Sequence, residues 1–338
     1  MNSPDIQQIP AGWAARIARA PWRLIGIVLL VIVILNVDLH AIMFRFSRLG
    51  LGFVAGAMAA FAALLAIRCW RWRVLTKAVG ARQPFWQLVL SCNRSIWLGM
   101  ATPGRIGEFR RAADLSVVRS WGMAASSSLV LLDLLVDLVA YGAIGVGGYL
   151  WVTVPSPGGS LAAGAIFLFT ALSVIGFGSL VRLLVRFAPR LSKVPGLSEL
   201  LPALGDGLSF GVGLNVLTAT MLASLSYVCM VWCLVHPMQP DLPAGYIATA
   251  VGLAGIAGAV PITYFGLGTR DVVLIWFFGQ IHRLPSDAVA FSFSVLLAQL
   301  IGIFVSLAAV PLLRAAATRE RRENGGSSWL QLQRRKHG

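Results

Sequence analysis

Apolar residues run almost without interruption for long stretches of this chain, and Lys and Arg gather between the runs. A helix needs roughly 20 apolar residues to cross about 30 Å of hydrocarbon. By that measure the pattern predicts transmembrane helices at 24–44, 49–67, 124–152, 161–181, 207–236 and 288–313. The runs are too long, and alternate too little, for the ~10-residue strands of a membrane barrel. Placing the basic clusters on one side of the membrane gives a consistent alternation. Arg68 to Arg82, Arg182 to Lys193 and the residues after Leu313 fall on the cytoplasmic side, and only Arg45, Arg48 and Arg283 fall outside. Turns rich in Pro and Gly at 155–159 and 237–243 then lie on the outer side.

Two apolar segments do not fit as simple spans. Residues 85–118 begin and end beside cytoplasmic arginines, and residues 245–282 begin and end outside. Each is interrupted by Pro and Gly, followed by an Arg with a carboxylate close behind. Non-helical backbone at membrane depth is tolerated only where protein or a water-filled cavity satisfies its polar groups. The expected architecture is an all-α integral membrane protein with about six full transmembrane helices and two re-entrant broken-helix hairpins, arranged as an inverted repeat. Residues 1–23 read as a cytoplasmic segment with an interfacial helix, and 24–313 as one transmembrane domain with halves 24–152 and 161–313. Residues 314–338 read as a basic cytoplasmic tail suited to an anionic lipid surface.

Composition agrees. Of 338 residues, 57% are hydrophobic and 12% charged, half the charge of an average soluble domain. Mean hydropathy is +0.78. A net charge of +15 would suggest nucleic acid in a soluble protein. In a membrane protein, cytoplasmic loops account for it. The first apolar run is long enough to span, so it reads as a retained helix rather than a cleaved signal. The four cysteines and scattered histidines form no metal-ligand pattern, and no metal or cofactor is expected.

The residues able to carry chemistry sit at the two interruptions. Pro103 and Gly104 stop the incoming half-helix, and a second half-helix starting near Arg105 would present free N–H groups and a guanidinium fork to an anion. Glu108 could pair with Arg105 in the absence of ligand. The alternative is a cytoplasmic turn from which Arg105 snorkels. In the second hairpin Pro261 ends one half-helix, and Gly266 and Gly268 form a tight turn. Thr269 can cap the next half-helix, with Arg270 and Asp271 in its first turn. The alternative there is a solvated outer ion pair. Asp133 and Asp137 share a helix face at i, i+4. They either face Arg105, Arg270 or water, as counter-ions or proton carriers, or pair with Arg110 or Arg119 near the cytoplasmic end. Asn93 either reaches the same cavity or packs. The candidate headgroup-binding set is therefore Asn93, Pro103, Gly104, Arg105, Gly107, Glu108 and Arg110 with Gly266, Gly268, Thr269, Arg270 and Asp271.

Three motifs in order resemble a known family: Arg68-Cys-Trp-Arg-Trp-Arg73, Thr102-Pro-Gly-Arg-Ile-Gly-Glu108 with Arg110 and Arg111, and Pro261-Ile-Thr through Gly266-Leu-Gly-Thr-Arg270. They are similar to signatures of the flippase-like membrane domain of lysylphosphatidylglycerol synthase and its stand-alone relatives, over roughly 24–313. Asp271 stands where the family usually has Glu, and Tyr264-Phe265 where it has small residues. Only the basic tail follows Leu313, so the resemblance implies a lipid-handling membrane module without aminoacyl transfer. The expected function is a lipid flippase or transporter for a phospholipid or other phosphate-bearing or polyprenyl-type lipid. It would act without enzymatic chemistry, in a bacterial cytoplasmic (inner) membrane with both termini cytoplasmic. Two alternatives stand beside it: an integral-membrane transferase acting on polyprenyl-phosphate sugars, and a non-catalytic partner of a lipid or cell-envelope enzyme. Expected partners are a membrane lipid as substrate, anionic lipid at the basic loops and tail, and an envelope or lipid-synthesis enzyme, but no nucleic acid.

Overall fold

The computed structural model describes residues 49–81, 83–119, 122–154, 156–187, 209–259 and 268–336. The span expected at 24–44, the N-terminal segment, Pro261, Gly266 and the second half of the 182–193 loop lie outside these residues. Everything described is helix and short connection. Five helices are long and apolar enough to cross a membrane. They are α1 (Leu51–Ala78), α4 (Met123–Thr153), α5 (Gly158–Phe187), α6 (Phe210–Val235) and α9 (Pro285–Lys336), and the apolar stretches of α5 and α9 lie within Gly158–Gly176 and Pro285–Glu320. Between them lie four shorter helices: α2 (Phe85–Ala101), α3 (Arg110–Arg119), α7 (Ala244–Ala259) and α8 (Thr269–Gln280). Each of these falls short of the ~20 residues a span needs. The chain is an all-α integral membrane protein.

Its surface carries what lipid demands. On α5, Leu168, Phe169 and Leu172 are more than half exposed, as are Leu225 on α6 and Phe304 on α9. Lipid tails accept such side chains at no cost, whereas water would not. Inside, Phe277, Phe278 and Phe291 pack ring against ring with Phe61 and Trp72 fully buried nearby.

Both interrupted segments are broken helices. The first stops at Ala101, makes a tight 3-10 turn over Pro103–Phe109, and resumes as α3. The second half-helix therefore begins at Arg110 and not near Arg105. The reason is local: Arg105 has a φ of +57°, which no α-helix contains. The second segment ends one helix at Ala259 and starts the next at Thr269.

Packing is reciprocal. α1 lies along α6, α2 lies along α9, and α7 lies against α4. The α4–α7 contact is a backbone crossing. Ala143–Gly147 widens into a π turn, and Gly145 meets Gly252 so closely that a Cβ on either would overlap the other's backbone. Small residues at membrane helix crossings allow this approach.

Three boundaries differ from the sequence expectation, the first at α5, which runs past residue 181 to Phe187 and takes Arg182 and Arg186 into the helix. α1 runs past residue 67 to Ala78, so Arg68 and Arg71 belong to a helix and not to a loop. α9 runs past Leu313 to Lys336, so the basic tail continues a helix rather than lying apart from it. Its 36-residue stretch Pro285–Glu320 would measure about 54 Å at 1.5 Å per residue, well beyond ~30 Å of hydrocarbon. The far end projects from the membrane, where Glu320 accepts the Phe85 and Trp86 N–H groups at 2.7 and 2.8 Å and caps α2.

Candidate functional site

The turn that makes the site is built by Thr102 and Pro103. A residue before Pro is pushed to extended backbone, and Thr102 has φ −116° and ψ 145°. Its hydroxyl donates to the Leu98 carbonyl at 2.8 Å and accepts the Gly107 N–H at 2.7 Å. Gly107 rests on the backbone of Leu98 and Gly99, where a Cβ would collide. The turn folded this tightly holds Arg105 in the left-handed region, at a cost of roughly 1–2 kcal/mol for a residue with a Cβ.

Arg105 points into a buried lattice of charge. Its Nε donates to Glu108 Oε1 at 2.7 Å, its Nη2 meets the same oxygen, and Nη2 also reaches Asp137 Oδ2 at 3.1 Å. Arg68 pairs with Asp137 and lies 3.7 Å from Glu108. Arg71 places Nε 2.8 Å from Asp133 and Nη1 2.6 Å from Asp137, and donates to Thr220 on α6. Arg111 donates to Glu108 at 3.1 Å and Asp133 at 2.7 Å while stacking over Trp72. Four guanidinium groups thus share three carboxylates. Arg71 and Arg111 are sealed at 1% and 2% side-chain exposure, whereas Arg105 keeps 26%. The lattice has a buried base and one accessible edge.

That edge faces a cavity of about 280 Å³. Arg68, Thr102, Arg105 and Glu108 line one side, and Gly255, Gly258, Ala259 and Arg270 line the other. The two broken segments therefore share one cavity. Leu131, Leu134, Leu135 and Leu138 of α4 make the remaining wall apolar, and Tyr141, Tyr227 and Gln299 are its polar members.

The second segment meets the cavity through Arg270, at the start of a helix that Asp271 caps from within. Gly268 takes φ +91° and ends the turn, and its N–H donates to Asp271 Oδ2 at 2.7 Å. Ser292 donates to the other Asp271 oxygen. Arg270 donates to Ser292 Oγ at 2.9 Å and its carbonyl at 3.0 Å, which fixes α8 to α9.

Several expected positions are corrected. Thr269 is not the cap: Gly268 is, and the Thr269 hydroxyl donates to the Ala257 carbonyl at 3.3 Å. Asn93 does not reach the cavity; it is fully buried and donates to the Ser306 carbonyl at 2.9 Å, joining α2 to α9. Arg110 turns outward to Asp114 at 3.9 Å, and its neighbour Arg111 points into the lattice. Asp133 and Asp137 meet Arg68, Arg71, Arg105 and Arg111, not Arg110. Pro103 and Gly104 belong to the 3-10 turn, and Gly266 lies outside the described residues.

Sequence reasoning placed Arg68, Arg71 and Arg111 in the family motifs but not in the site, and passed over Tyr141, Tyr227 and Gln299. A signal existed for the first two. Ala57, Phe61, Leu64, Arg68, Arg71 and Leu75 recur every three or four residues, the stripe of one buried helix face. The arginines simply continue it.

Fold and site together define a helical membrane protein whose two broken segments enclose a charged cavity. A family model described as the lysylphosphatidylglycerol synthase TM region matches residues 22–309, and the chain belongs to that family of lipid-related membrane domains. Comparison with curated proteins and with solved structures gives no match.

Proposed function

We propose that the protein is a lipid flippase: it binds the phosphate of a lipid headgroup in the cavity between the broken segments and passes it between leaflets while the chains stay in the bilayer. One observation carries the reading above all. Arg105 is held by a strained turn at the open edge of the lattice, on carboxylates already shared with other arginines. An arginine placed this way can turn its fork to a phosphate without leaving a buried carboxylate unpaired. The reciprocal packing of α2 on α9 and α7 on α4 supports an inverted repeat whose halves rock around the cavity. The one-sided basic clusters support cytoplasmic termini in a bacterial inner membrane, and the projecting basic end of α9 suits an anionic lipid surface.

The same lattice argues against a transferase. A catalytic base needs a carboxylate able to accept a proton near working pH. Glu108, Asp133 and Asp137 each contact two or three guanidinium groups and are committed to that lattice. Reconstitution in liposomes with a fluorescent phospholipid tests the proposal. Leaflet exchange should be faster than in protein-free liposomes; equal rates would overturn it.

A further inference from the structure

α4 and α5 are joined by a short turn and then part. Beside the turn, Gly159 rests on the Leu150 and Val154 carbonyls and Gly147 against the Phe167 ring, where an added carbon would crowd. Farther along, Gly213 seats α6 on the Ile175 backbone, so α5 leans onto α6 and away from α4. The gap that opens between α4 and α5 is a recess of about 270 Å³. Leu132, Leu135, Val136 and Val139 of α4 form one wall, Ile175 of α5 faces them, and Val216 of α6 lies in the floor. Its polar lining is confined to Ser173 and Ser209, and the Ser209 hydroxyl already accepts the Val212 N–H at 3.4 Å.

The recess lies among α1, α4, α5 and α6, each long and apolar enough to cross a membrane, so its surroundings are hydrocarbon. Water is a poor occupant, since an apolar cavity of about 150 Å³ stays dry and takes a hydrocarbon instead. Left empty, the recess would cost its lining the dispersion contacts that close packing supplies. A hydrocarbon chain meets both conditions. Its position narrows the source. Leu131, Leu135 and Val139 stand at i, i+4 and i+8, 49%, 46% and 44% exposed, and form an open ridge along α4. The charged cavity lies on one side of this ridge and the recess on the other, and Leu135 lines both. A lipid whose phosphate sits at Arg105 passes one side chain to lay a chain in the recess.

We infer that the recess is an acyl-chain site, taking a segment of one chain of the phospholipid whose phosphate occupies the charged cavity, with Leu135 as the sill between them. The inference rests on the reading of that cavity as a phosphate site, and adds a separate, apolar point of attachment. The recess is open along the ridge, so the rest of the chain remains in the bilayer. Its volume suits a chain segment and not a whole lipid.

The experiment places the full-length protein in phosphatidylcholine liposomes with a trace of phosphatidylglycerol carrying a diazirine midway along one chain. After irradiation the labelled residues are mapped by mass spectrometry. Leu132 and Val216 decide the outcome, because at 8% and 4% exposure a chain brushing the surface does not reach them. Both should be labelled. Label confined to the exposed Leu168 and Leu225 overturns the inference, as it would if protein rather than lipid filled the recess. Val136→Trp, which fills the recess from its half-buried wall, should remove the label from Val216, and label that persists overturns it too. Val139→Phe on the exposed rim takes its place if that variant is not monodisperse. Arg105→Ala tests the source of the chain: labelling of both residues should fall roughly tenfold, in step with the lost phosphate contact. Unchanged labelling means that the chain belongs to a lipid unconnected with the cavity, and the assignment falls. Leaflet exchange is measured in the same liposomes. Arg105-dependent labelling without exchange keeps the inference and removes the flippase reading. Exchange with an unlabelled recess does the reverse.

Discussion

Arg71 and Arg105 are 34 residues apart in sequence and share Asp137, yet their roles separate by burial. Arg71 is sealed, and removing it from a low-dielectric interior leaves Asp133 with Arg111 alone and takes one of three guanidinium partners from Asp137. Breaking a buried pair from one side costs about 3–5 kcal/mol. Arg71→Leu should therefore lower the melting temperature or abolish the detergent-stable monodisperse peak in size-exclusion fluorescence. A variant with wild-type stability would show that the lattice does not hold the fold. Arg105 is different, because it stands at the accessible edge and each of its two carboxylates keeps two other guanidinium partners. Arg105→Ala should fold and lose phosphate binding by roughly tenfold to a hundredfold, from 1.5–3 kcal/mol for a charged hydrogen bond. Arg105→Gly should lose binding equally and melt higher than Arg105→Ala, since glycine adopts the left-handed turn at little steric cost. If Arg105→Gly melts lower than Arg105→Ala, the strain at this residue is not what the backbone angle indicates.

At the scale of elements, the breaks in the two hairpins were legible and their registers were not. Pro103 and Gly104 mark a break because one lacks an N–H and the other tolerates unusual dihedrals. The restart at Arg110 depends on Gly107 seating against Leu98 and Gly99, a tertiary contact without local signature. The charged half of the lattice was hidden for another reason. Lys and Arg after an apolar run are read as loop, yet Arg68 and Arg71 sit on a helix that lengthens the run to Ala78. Arg111 was lost to Arg110 because a turn of uncertain length leaves adjacent residues indistinguishable in facing. The π turn in α4 gives a prediction of its own. Gly252→Ala puts a carbon into the Gly145 backbone and should cost about 1–3 kcal/mol as overpacking, read as a drop in thermal stability. Gly258→Ala has open space and should be silent by the same measurement. Glu320 offers a milder test: Glu320→Gln weakens the cap on α2, and the Phe85 and Trp86 amides should exchange faster.

For the whole molecule, the all-α membrane fold was plain from the apolar runs and basic clusters, and the family match covers residues 22–309. Convergence of the two broken segments on one cavity was expected from their order in the chain, and the structure places Arg105 and Arg270 on its walls. The polar members of the remaining wall could not be foreseen, because Tyr141, Tyr227 and Gln299 come from three separate long helices. The central claim is that this cavity carries a lipid headgroup across the membrane, and one measurement meets it most directly. Wild type and Arg105→Ala, each shown monodisperse before reconstitution, are placed at equal density in liposomes, and the half-time for leaflet exchange of labelled phosphatidylglycerol is recorded. The account predicts fast exchange for the wild type and a rate for Arg105→Ala close to that of protein-free liposomes. Equal fast rates for the two proteins would contradict it and remove the cavity from the transport path.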